Sequence, residues 1–259
     1  MDKKRNSVEF KITGRYAMFA DPITRVGGEK FSYQIPTYQA LKGILESVYW
    51  KPTFIWCIDA VRVMKKIQTE SKGIKTLQMD GIYPSQKNPG KNEAGISDLS
   101  YYTYLRDVEY EVLAHFEWNT HRNDLADDRD ENKHHNIAKR CIIKGGRRDI
   151  FLGTRECQGY VEPCVFGAEV SFYKDYGELD FGVQFHGYDY PDETGKDELA
   201  VRLWRAKMKD GLIEFPLPKD CDSSLRRYIR KMTAKDFAIN RNFSLIDNDF
   251  AVADCLKEE

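Results

Sequence analysis

Apolar and polar residues alternate, or recur at helical spacing, along most of the first 166 residues. Period-two alternation, as in residues 8–12, predicts strands because successive side chains of a strand point to opposite faces. Apolar residues three and four apart, in a pattern that Pro52 stops, predict a helix. The predicted elements are a strand at 8–19, a helix at 36–49, strands at 54–64 and 101–118, a helix at 134–144 and an extended segment at 151–166.

Two segments lack a usable period. Residues 71–100 are rich in Gly, Pro, Lys, Asn and Ser, which predicts a long loop that binds a partner or is disordered. Residues 124–132 are acidic and predict a shorter loop before the second helix.

The order strand, helix, strand, strand, helix, strand predicts an α+β fold with a ferredoxin-like βαββαβ domain over residues 1–166. RNA-recognition modules use the same order of elements. Short strand patterns separated by turn residues predict a small antiparallel β-sheet domain over 167–224, with strands at 183–188, 199–208 and 212–215. Residues 225–259 are mixed in charge and predict a helical or flexible tail.

Charge is unevenly distributed along a chain whose formal net charge is only −1. Residues 1–75 hold 14 Lys and Arg against seven Asp and Glu, and residues 133–155 hold seven against one, so the remainder is strongly acidic. A chain polarised in this way can present a basic face to nucleic acid, including duplex DNA at low salt. The alternative is that these charges point in all directions and only solvate the surface.

The remaining composition indicates a reduced, intracellular protein. The six cysteines form no C-x-x-C pair, so neither a disulfide framework nor a zinc knuckle is indicated. No apolar run approaches the roughly 18 residues that a membrane helix needs, so no membrane span is expected and a cytoplasmic location is predicted. The sequence has no Walker loop, G-x-S-x-G or H-E-x-x-H motif, and no cofactor is predicted.

Four of the five histidines fall within residues 115–135, together with several aspartates. Three interpretations of this window stay open. The side chains could be ligands of a hydrolytic metal ion, acid–base groups for cleavage of RNA, or incidental members of a polar loop. The histidines are His115, His121, His134 and His135.

Lys133 and His134 are the most specific pair in this window. RNA carries its own nucleophile, the 2′-hydroxyl, so an enzyme has to remove that proton, stabilise the phosphorane and protonate the leaving 5′ oxygen. A lysine and an imidazole side by side on a loop suit the last two tasks. Tyr49, which is followed by Trp50 and Lys51, is a candidate for the first task. The alternative for Tyr49 is a helix end packed by aromatic rings.

Basic residues beside glycines are candidates for phosphate contact. Arg147 and Arg148 follow two glycines, which permit close approach, and a guanidinium binds phosphate through paired hydrogen bonds. The alternative is an exposed loop with counterions. The predicted RNA-binding set consists of Lys30, Lys51, Arg147, Arg148 and Arg155.

Several long segments of the chain resemble one protein family. They are GGEKFSYQIPTYQALKGILESVYWKPTF, RVMKKIQTESKG, AHFEWNTHRNDLADDRDENKHHNIAKRCIIKGGRRDIFLGTRECQGYVEP, GYDYPDETG and VRLWRAKMKDGLIEFP, in matching order between about residue 8 and residue 220. On these segments the chain resembles the Cas five family of CRISPR-associated proteins as it occurs in type I-C systems, within the RAMP superfamily.

The resemblance implies a ferredoxin-like domain and metal-independent cleavage of CRISPR precursor RNA at the base of the repeat hairpin. The products would be a 2′,3′-cyclic phosphate and a 5′-hydroxyl. It also implies that the protein stays on the 5′ handle of the mature guide RNA, with other subunits of a type I-C surveillance complex. The family's proposed catalytic groups match Tyr49, Lys133 and His134, and His135 adds a second imidazole, which leaves the acting ring open.

Three rival functions stay open at this point. They are a non-catalytic subunit that binds the 5′ handle of the guide, a metal-dependent nuclease and a DNA-binding protein. The catalytic hypothesis requires the Tyr49 hydroxyl and the His134 ring to lie close together in the folded chain.

Overall fold

The computed structural model describes residues 3–21, 29–77, 97–235, 237–239 and 241–245. The strands are β1 (Val8–Ala17), β2 (Lys30–Phe31), β3 (Phe54–Val63), β4 (Thr69–Leu77), β5 (Ser97–Trp118), β6 (Ile150–Phe151), β7 (Gln158–Pro163), β8 (Glu178–Asp189), β9 (Glu198–Lys209), β10 (Leu212–Glu214) and β11 (Arg226–Lys231). The helices are α1 (Tyr38–Val48), α2 (Glu131–Ile143) and α3 (Pro191–Thr194), and short 3-10 helices lie at Asn123–Asp128, Pro218–Asp220 and Ser223–Leu225.

These strands form one large sheet within the described residues. Its main path runs β11-β9-β10-β3-β5-β1-β7-β6, with β2 and β4 paired to β5 and β8 paired to β9. Every pairing is antiparallel except that of the two-residue strand β2 with β5. The fold is therefore a mixed α/β fold built on a large antiparallel sheet.

Helix α1 forms where the sequence predicts it. The Thr37 hydroxyl accepts a hydrogen bond from the Ala40 amide at 3.1 Å, which satisfies one of the amides that the first turn leaves unpaired. The helix ends at Tyr49, whose backbone is extended. The buried face follows the apolar spacing and packs on β3; it consists of Tyr38, Leu41, Ile44, Leu45 and Val48.

Helix α2 begins earlier than the sequence pattern predicts. Asp130 is its N-cap, and the Asp130 carboxylate accepts a hydrogen bond from the Lys133 amide at 3.0 Å. This cap places Glu131 to Lys133 in the first helical turn, so the predictions of a loop to residue 132 and of Lys133 and His134 on a loop were wrong. Residues 123–128 of the same acidic segment form a 3-10 helix.

The loop predicted for residues 71–100 is partly wrong. Strand β4 continues to Leu77 and β5 already begins at Ser97, and the two strands pair over their whole described overlap. Polar residues adopt strand conformation here because the partner strand supplies main-chain hydrogen bonds. The spacing of apolar residues within one strand gives no sign of such a partner. The loop prediction for residues 78–96 lies outside the described residues.

The remaining differences concern the ends of the predicted domains. The extended segment predicted at 151–166 is interrupted by a turn at Gly153, where φ is +97°, between β6 and β7. Within the predicted helical or flexible tail, residues 226–231 form strand β11 on β9.

The predicted C-terminal sheet is antiparallel, but it continues the first sheet, because β10 pairs with both β3 and β9. The division at residues 166 and 224 stays a prediction. Among the described helices, none is long and apolar enough to span a bilayer.

Candidate active site

The end of α1 meets the first turn of α2 at a tyrosine–histidine contact. The Tyr49 hydroxyl lies 2.7 Å from His134 Nδ1, and His134 Nε2 lies 2.8 Å from the main-chain oxygen of Asp128. A carbonyl oxygen can only accept, so Nε2 bears a proton; in the neutral ring Nδ1 then accepts the hydrogen bond that the Tyr49 hydroxyl donates. The two residues are 85 positions apart in the sequence, and the fold brings them together.

Both side chains are buried. Tyr49 is 1% exposed and His134 is 0% exposed, and the rings of Phe54 and Trp118 pack near the imidazole with centroids 5.1 and 5.7 Å away. Burial lowers the pKa of His134 below its usual value, while the carbonyl and carboxylate of Asp128 oppose this shift. The imidazole is therefore neutral at pH 7, with Nδ1 able to accept a proton.

Asp128 is itself held in place by Thr53, the residue directly before β3. The Thr53 hydroxyl donates a hydrogen bond to Asp128 Oδ2 at 2.6 Å, and this oxygen lies 3.8 Å from His134 Nε2. A positive charge that formed on the His134 ring would face this carboxylate at short range.

Tyr49 lines a cleft of about 800 Å³, and His134 lies behind it. The cleft is rich in cations, since Lys51, Arg147 and Arg148 from the predicted RNA-binding set line it. Lys51 is 3% exposed, and its charge also lowers the pKa of His134. The further charged residues of the lining are Glu46, Arg122, Asp192, Glu193 and Lys235.

Two glycines after α2 direct Arg147 to the end of α1. Gly145 and Gly146 have φ of +80° and +108°, a region that favours glycine. The turn that they form lets the Arg147 amide donate to the Val48 carbonyl at 3.3 Å, and the Arg147 guanidinium lies 5.9 Å from the centre of the Tyr49 ring. Arg147 and Arg148, which follow these glycines, thus lie at the cleft.

Other predicted site residues lie away from the Tyr49–His134 contact. Lys133 has an exposed side chain on α2 and does not line the cleft. The His135 ring turns the other way, with Nε2 2.9 Å from the Ser7 carbonyl. Of the two adjacent imidazoles, only His134 contacts Tyr49.

Two predicted RNA-binding residues also lie outside the cleft. Lys30 lines a second pocket of about 400 Å³, which shares the lining residues Gln39 and Gly43 with the cleft. The Lys30 ammonium lies 4.6 Å from the centre of the Tyr102 ring. Arg155 lies in the exposed turn between β6 and β7 and lines neither the cleft nor the second pocket.

The four histidines of the window do not converge on one set of ligands. His121 packs near Gly195, His134 and His135 have the partners given above, and His115 lies on β5 opposite Cys57. Among the described residues, the donor atoms that cluster within 4.8 Å are those of Cys57, His115 and Glu117. The Lys4 ammonium is 2.6 Å from His115 Nε2 and 3.2 Å from Glu117 Oε1, so a cation of the chain itself already contacts this group.

Sequence reasoning missed the roles that Thr53, Asp128 and Arg122 have at the site. Thr53 and Asp128 position His134, and Arg122 adds a cation to the cleft. It also missed the described residues between 232 and 245, several of which line the cleft. None belongs to a local motif, because their roles arise from contacts between distant parts of the chain.

Comparison with known proteins identifies the family. Residues 7–216 match the family model described as CRISPR-associated protein (Cas_Cas5). A protein of Mannheimia succiniciproducens named CRISPR pre-crRNA endoribonuclease Cas5d is 27% identical, over 82% of this chain and 95% of its own length. The protein of the same name from Thermus thermophilus is 26% identical, over 82% and 92%.

Solved structures agree with this match. A crystal structure of a CRISPR-associated protein superposes with a TM-score of 0.65 at 35% identity, covering 83% of this chain and 94% of the other. A functionally uncharacterized protein, SMU1763c from Streptococcus mutans, gives a TM-score of 0.66 at 37% identity, covering 83% and 95%. The resemblance to the Cas five family is thereby confirmed. The chain belongs to the Cas5 family of CRISPR-associated proteins.

Proposed function

We propose that the protein is a metal-independent endoribonuclease that cuts CRISPR precursor RNA once, at the base of the repeat hairpin. The observation that carries the proposal is the 2.7 Å contact between the Tyr49 hydroxyl and the neutral His134 ring, at the wall of a cation-rich cleft. The names of the two curated relatives, both CRISPR pre-crRNA endoribonucleases, support the same activity and substrate.

The fold supports an RNA-binding role. The order β7-β1-β5-β3, with α1 between β1 and β3 and α2 between β5 and β7, is the arrangement that we propose to be ferredoxin-like. After cleavage the protein stays on the 5′ handle of the guide RNA, within a type I-C surveillance complex. Binding of duplex DNA stays a prediction.

The Tyr49–His134 contact provides a path for the first proton. As the 2′-oxygen attacks the phosphorus, its proton passes to the Tyr49 oxygen while the Tyr49 proton passes to His134 Nδ1. The imidazolium that results is stabilised by the Asp128 carbonyl and carboxylate. Direct removal by Tyr49 alone would need a phenolate, which is scarce near pH 7 because the phenol pKa is about 10.

The cations of the cleft act on the phosphate. Lys51, Arg147 and Arg148 stabilise the negative charge of the phosphorane, in which the bond from phosphorus to the 2′-oxygen has formed. The bond to the 5′-oxygen then breaks, and this oxygen takes up a proton. From the sequence, Lys133 and His134 share this task and stabilisation of the phosphorane. Because His134 takes up the first proton here, the donor to the 5′-oxygen is Lys133, whose exposed ammonium would have to reach it from outside the cleft lining. The products are a 2′,3′-cyclic phosphate and a 5′-hydroxyl.

A second candidate function is a subunit that binds the guide handle without cutting it. The burial of both Tyr49 and His134 favours this function, because a buried hydrogen-bonded pair also stabilises a fold without chemistry. The aromatic rings around the pair are compatible with either role.

Cleavage of the protein's own repeat RNA in excess chelator separates these functions. We expect a single cut that persists in chelator and is abolished by a 2′-deoxy substitution at the cut site. Cleavage that stops in chelator and returns with a divalent metal ion would refute the metal-independent mechanism. Tight binding with intact RNA would leave the non-cutting subunit as the function.

A further inference from the structure

The C-terminal segment of the chain lies along the wall of the cleft. Within the described residues it comprises 232–235, 237–239 and 241–245, which we call the C-terminal strap. The family match ends at residue 216, so the strap lies beyond the matched region. The strap residues that line the cleft are Met232, Lys235, Phe237, Asn242, Phe243 and Ser244.

Main-chain oxygens of the strap contact two cations of the cleft. The Lys51 ammonium donates a hydrogen bond to the Ser244 carbonyl at 2.7 Å. The Arg122 guanidinium donates to the Phe237 carbonyl at 2.8 Å. These partially negative oxygens therefore meet the kind of donor that binds the phosphate oxygens of a nucleic acid.

An aromatic side chain of the strap contacts the aromatic residue that follows Tyr49. The Phe237 ring packs on the Trp50 ring with centroids 5.4 Å apart. An aromatic face at the edge of a cationic groove is a stacking platform for a nucleobase. The strap thus offers oxygens to the cations and a ring to the tryptophan, two kinds of contact that single-stranded RNA also makes.

We propose that the C-terminal strap occupies the RNA path of the cleft as an intramolecular competitor, and that RNA displaces it on binding. The proposal rests on the proposed function, since it assumes that RNA enters this cleft. It assigns Lys51 and Arg122 to phosphate binding and Trp50 to base stacking. RNA affinity is then lower than the cleft alone would give, because each binding event first breaks the strap contacts.

Amide hydrogen exchange of the full chain tests the displacement. The probe is a repeat RNA with a 2′-deoxy substitution at the cut site, so binding is observed without cleavage. We expect saturating RNA to speed amide exchange in the C-terminal strap while slowing exchange in residues 49–51. Unchanged or slower exchange in the strap would overturn the proposal, because the strap would then stay in place or close over the RNA.

A point variant tests the competition. Phe237→Ala removes the ring contact with Trp50, and we expect it to bind the deoxy-substituted RNA about three- to tenfold more tightly than the unmodified chain. Tyr228→Ala is the matched control, because Tyr228 is an exposed aromatic on the neighbouring strand β11, outside the cleft lining. Equal or weaker binding by Phe237→Ala would contradict the proposal.

A second substitution in the Phe237→Ala background tests Trp50 separately from the strap. Trp50→Ala should weaken RNA binding about fivefold or more relative to Phe237→Ala alone, because a stacked base loses its platform. Unchanged affinity would reject the stacking assignment. All three measurements concern binding, so a chain that binds RNA but never cuts it would refute the proposed ribonuclease while leaving the competitor intact.

Discussion

Replacing Tyr49 by phenylalanine removes a single oxygen from the centre of the candidate site. The ring of the variant keeps its place against Phe54, and the Trp56 indole still donates to the main-chain oxygen of residue 49, since only the hydroxyl is lost. The atom that loses its partner is His134 Nδ1, which accepts the Tyr49 hydrogen bond at 2.7 Å. The substitution therefore tests the proton path with little change in shape.

Two separate effects are expected from this loss. His134 is fully buried, so leaving Nδ1 without a donor should lower the free energy of unfolding by about 1–3 kcal/mol. Loss of the proton path should slow cleavage by about 10²-fold or more, which corresponds to about 2.7 kcal/mol in the activation barrier. RNA affinity should change little, because the cations that line the cleft remain.

The assay combines single-turnover cleavage of repeat RNA with urea unfolding of the same preparation. Tyr173→Phe is a matched control, because the buried Tyr173 hydroxyl accepts a hydrogen bond from the Ile67 amide at 2.9 Å and lies outside the cleft lining. This control should lose stability and keep its cleavage rate.

One outcome would refute the chemical role of the contact. If Tyr49→Phe loses stability as expected but cuts RNA at the normal rate, the hydroxyl only supports the fold. The proton would then have to leave the 2′-oxygen by a route that does not include Tyr49.

The other predictions concern affinity, the leaving group and acid stability. Arg148→Ala should weaken RNA binding and reduce by about 1 the slope of the logarithm of the RNA association constant against the logarithm of the salt concentration. Arg155→Ala, outside the cleft, should change this slope less, and equal changes in the two variants would place the RNA elsewhere. Lys133→Ala should slow single-turnover cleavage of an RNA with a normal 5′-oxygen and spare one with a 5′-thio leaving group, which needs no proton; equal slowing would reject the leaving-group role. Burial lowers the pKa of His186 to about 3, so the unfolded chain alone binds this proton between pH 6.5 and 3. Unfolding free energy should therefore fall by about 2 kcal/mol between pH 7 and pH 5 from this group, and urea titrations of His186→Gln should show a smaller drop.

The spacing of apolar residues predicted the helices and strands whose side chains pack in the core. The apolar positions of α1 recur at helical spacing because one face packs on β3, and Tyr49 follows directly as the helix ends. Strand β3 was found for a similar reason, since its residues are mostly buried. In contrast, β4 is a strand chiefly because it pairs with β5. Its polar composition alone does not predict a strand.

The candidate site was less accessible to sequence reasoning. No spacing argument brings Tyr49 to His134 across 85 residues, and the pairing was suggested by the family resemblance. The role of Asp128 is carried partly by a main-chain oxygen, which any residue type supplies. The contacts of the C-terminal strap join residues more than 100 positions apart, so no local period could show them.

The double pairing of β10 has a consequence for how the cleft selects its ligand. Of the residues that line the cleft, Lys51 and Pro52 lie just before β3, while Tyr190 and Asp192 lie just after β8, which pairs with β9. Since β10 is hydrogen-bonded to β3 on one side and to β9 on the other, moving these two groups of lining residues apart would break main-chain hydrogen bonds. The sheet therefore restrains the width of the cleft, and if RNA enters there as proposed, a stem too broad for that width would be excluded by its shape and not by its base sequence.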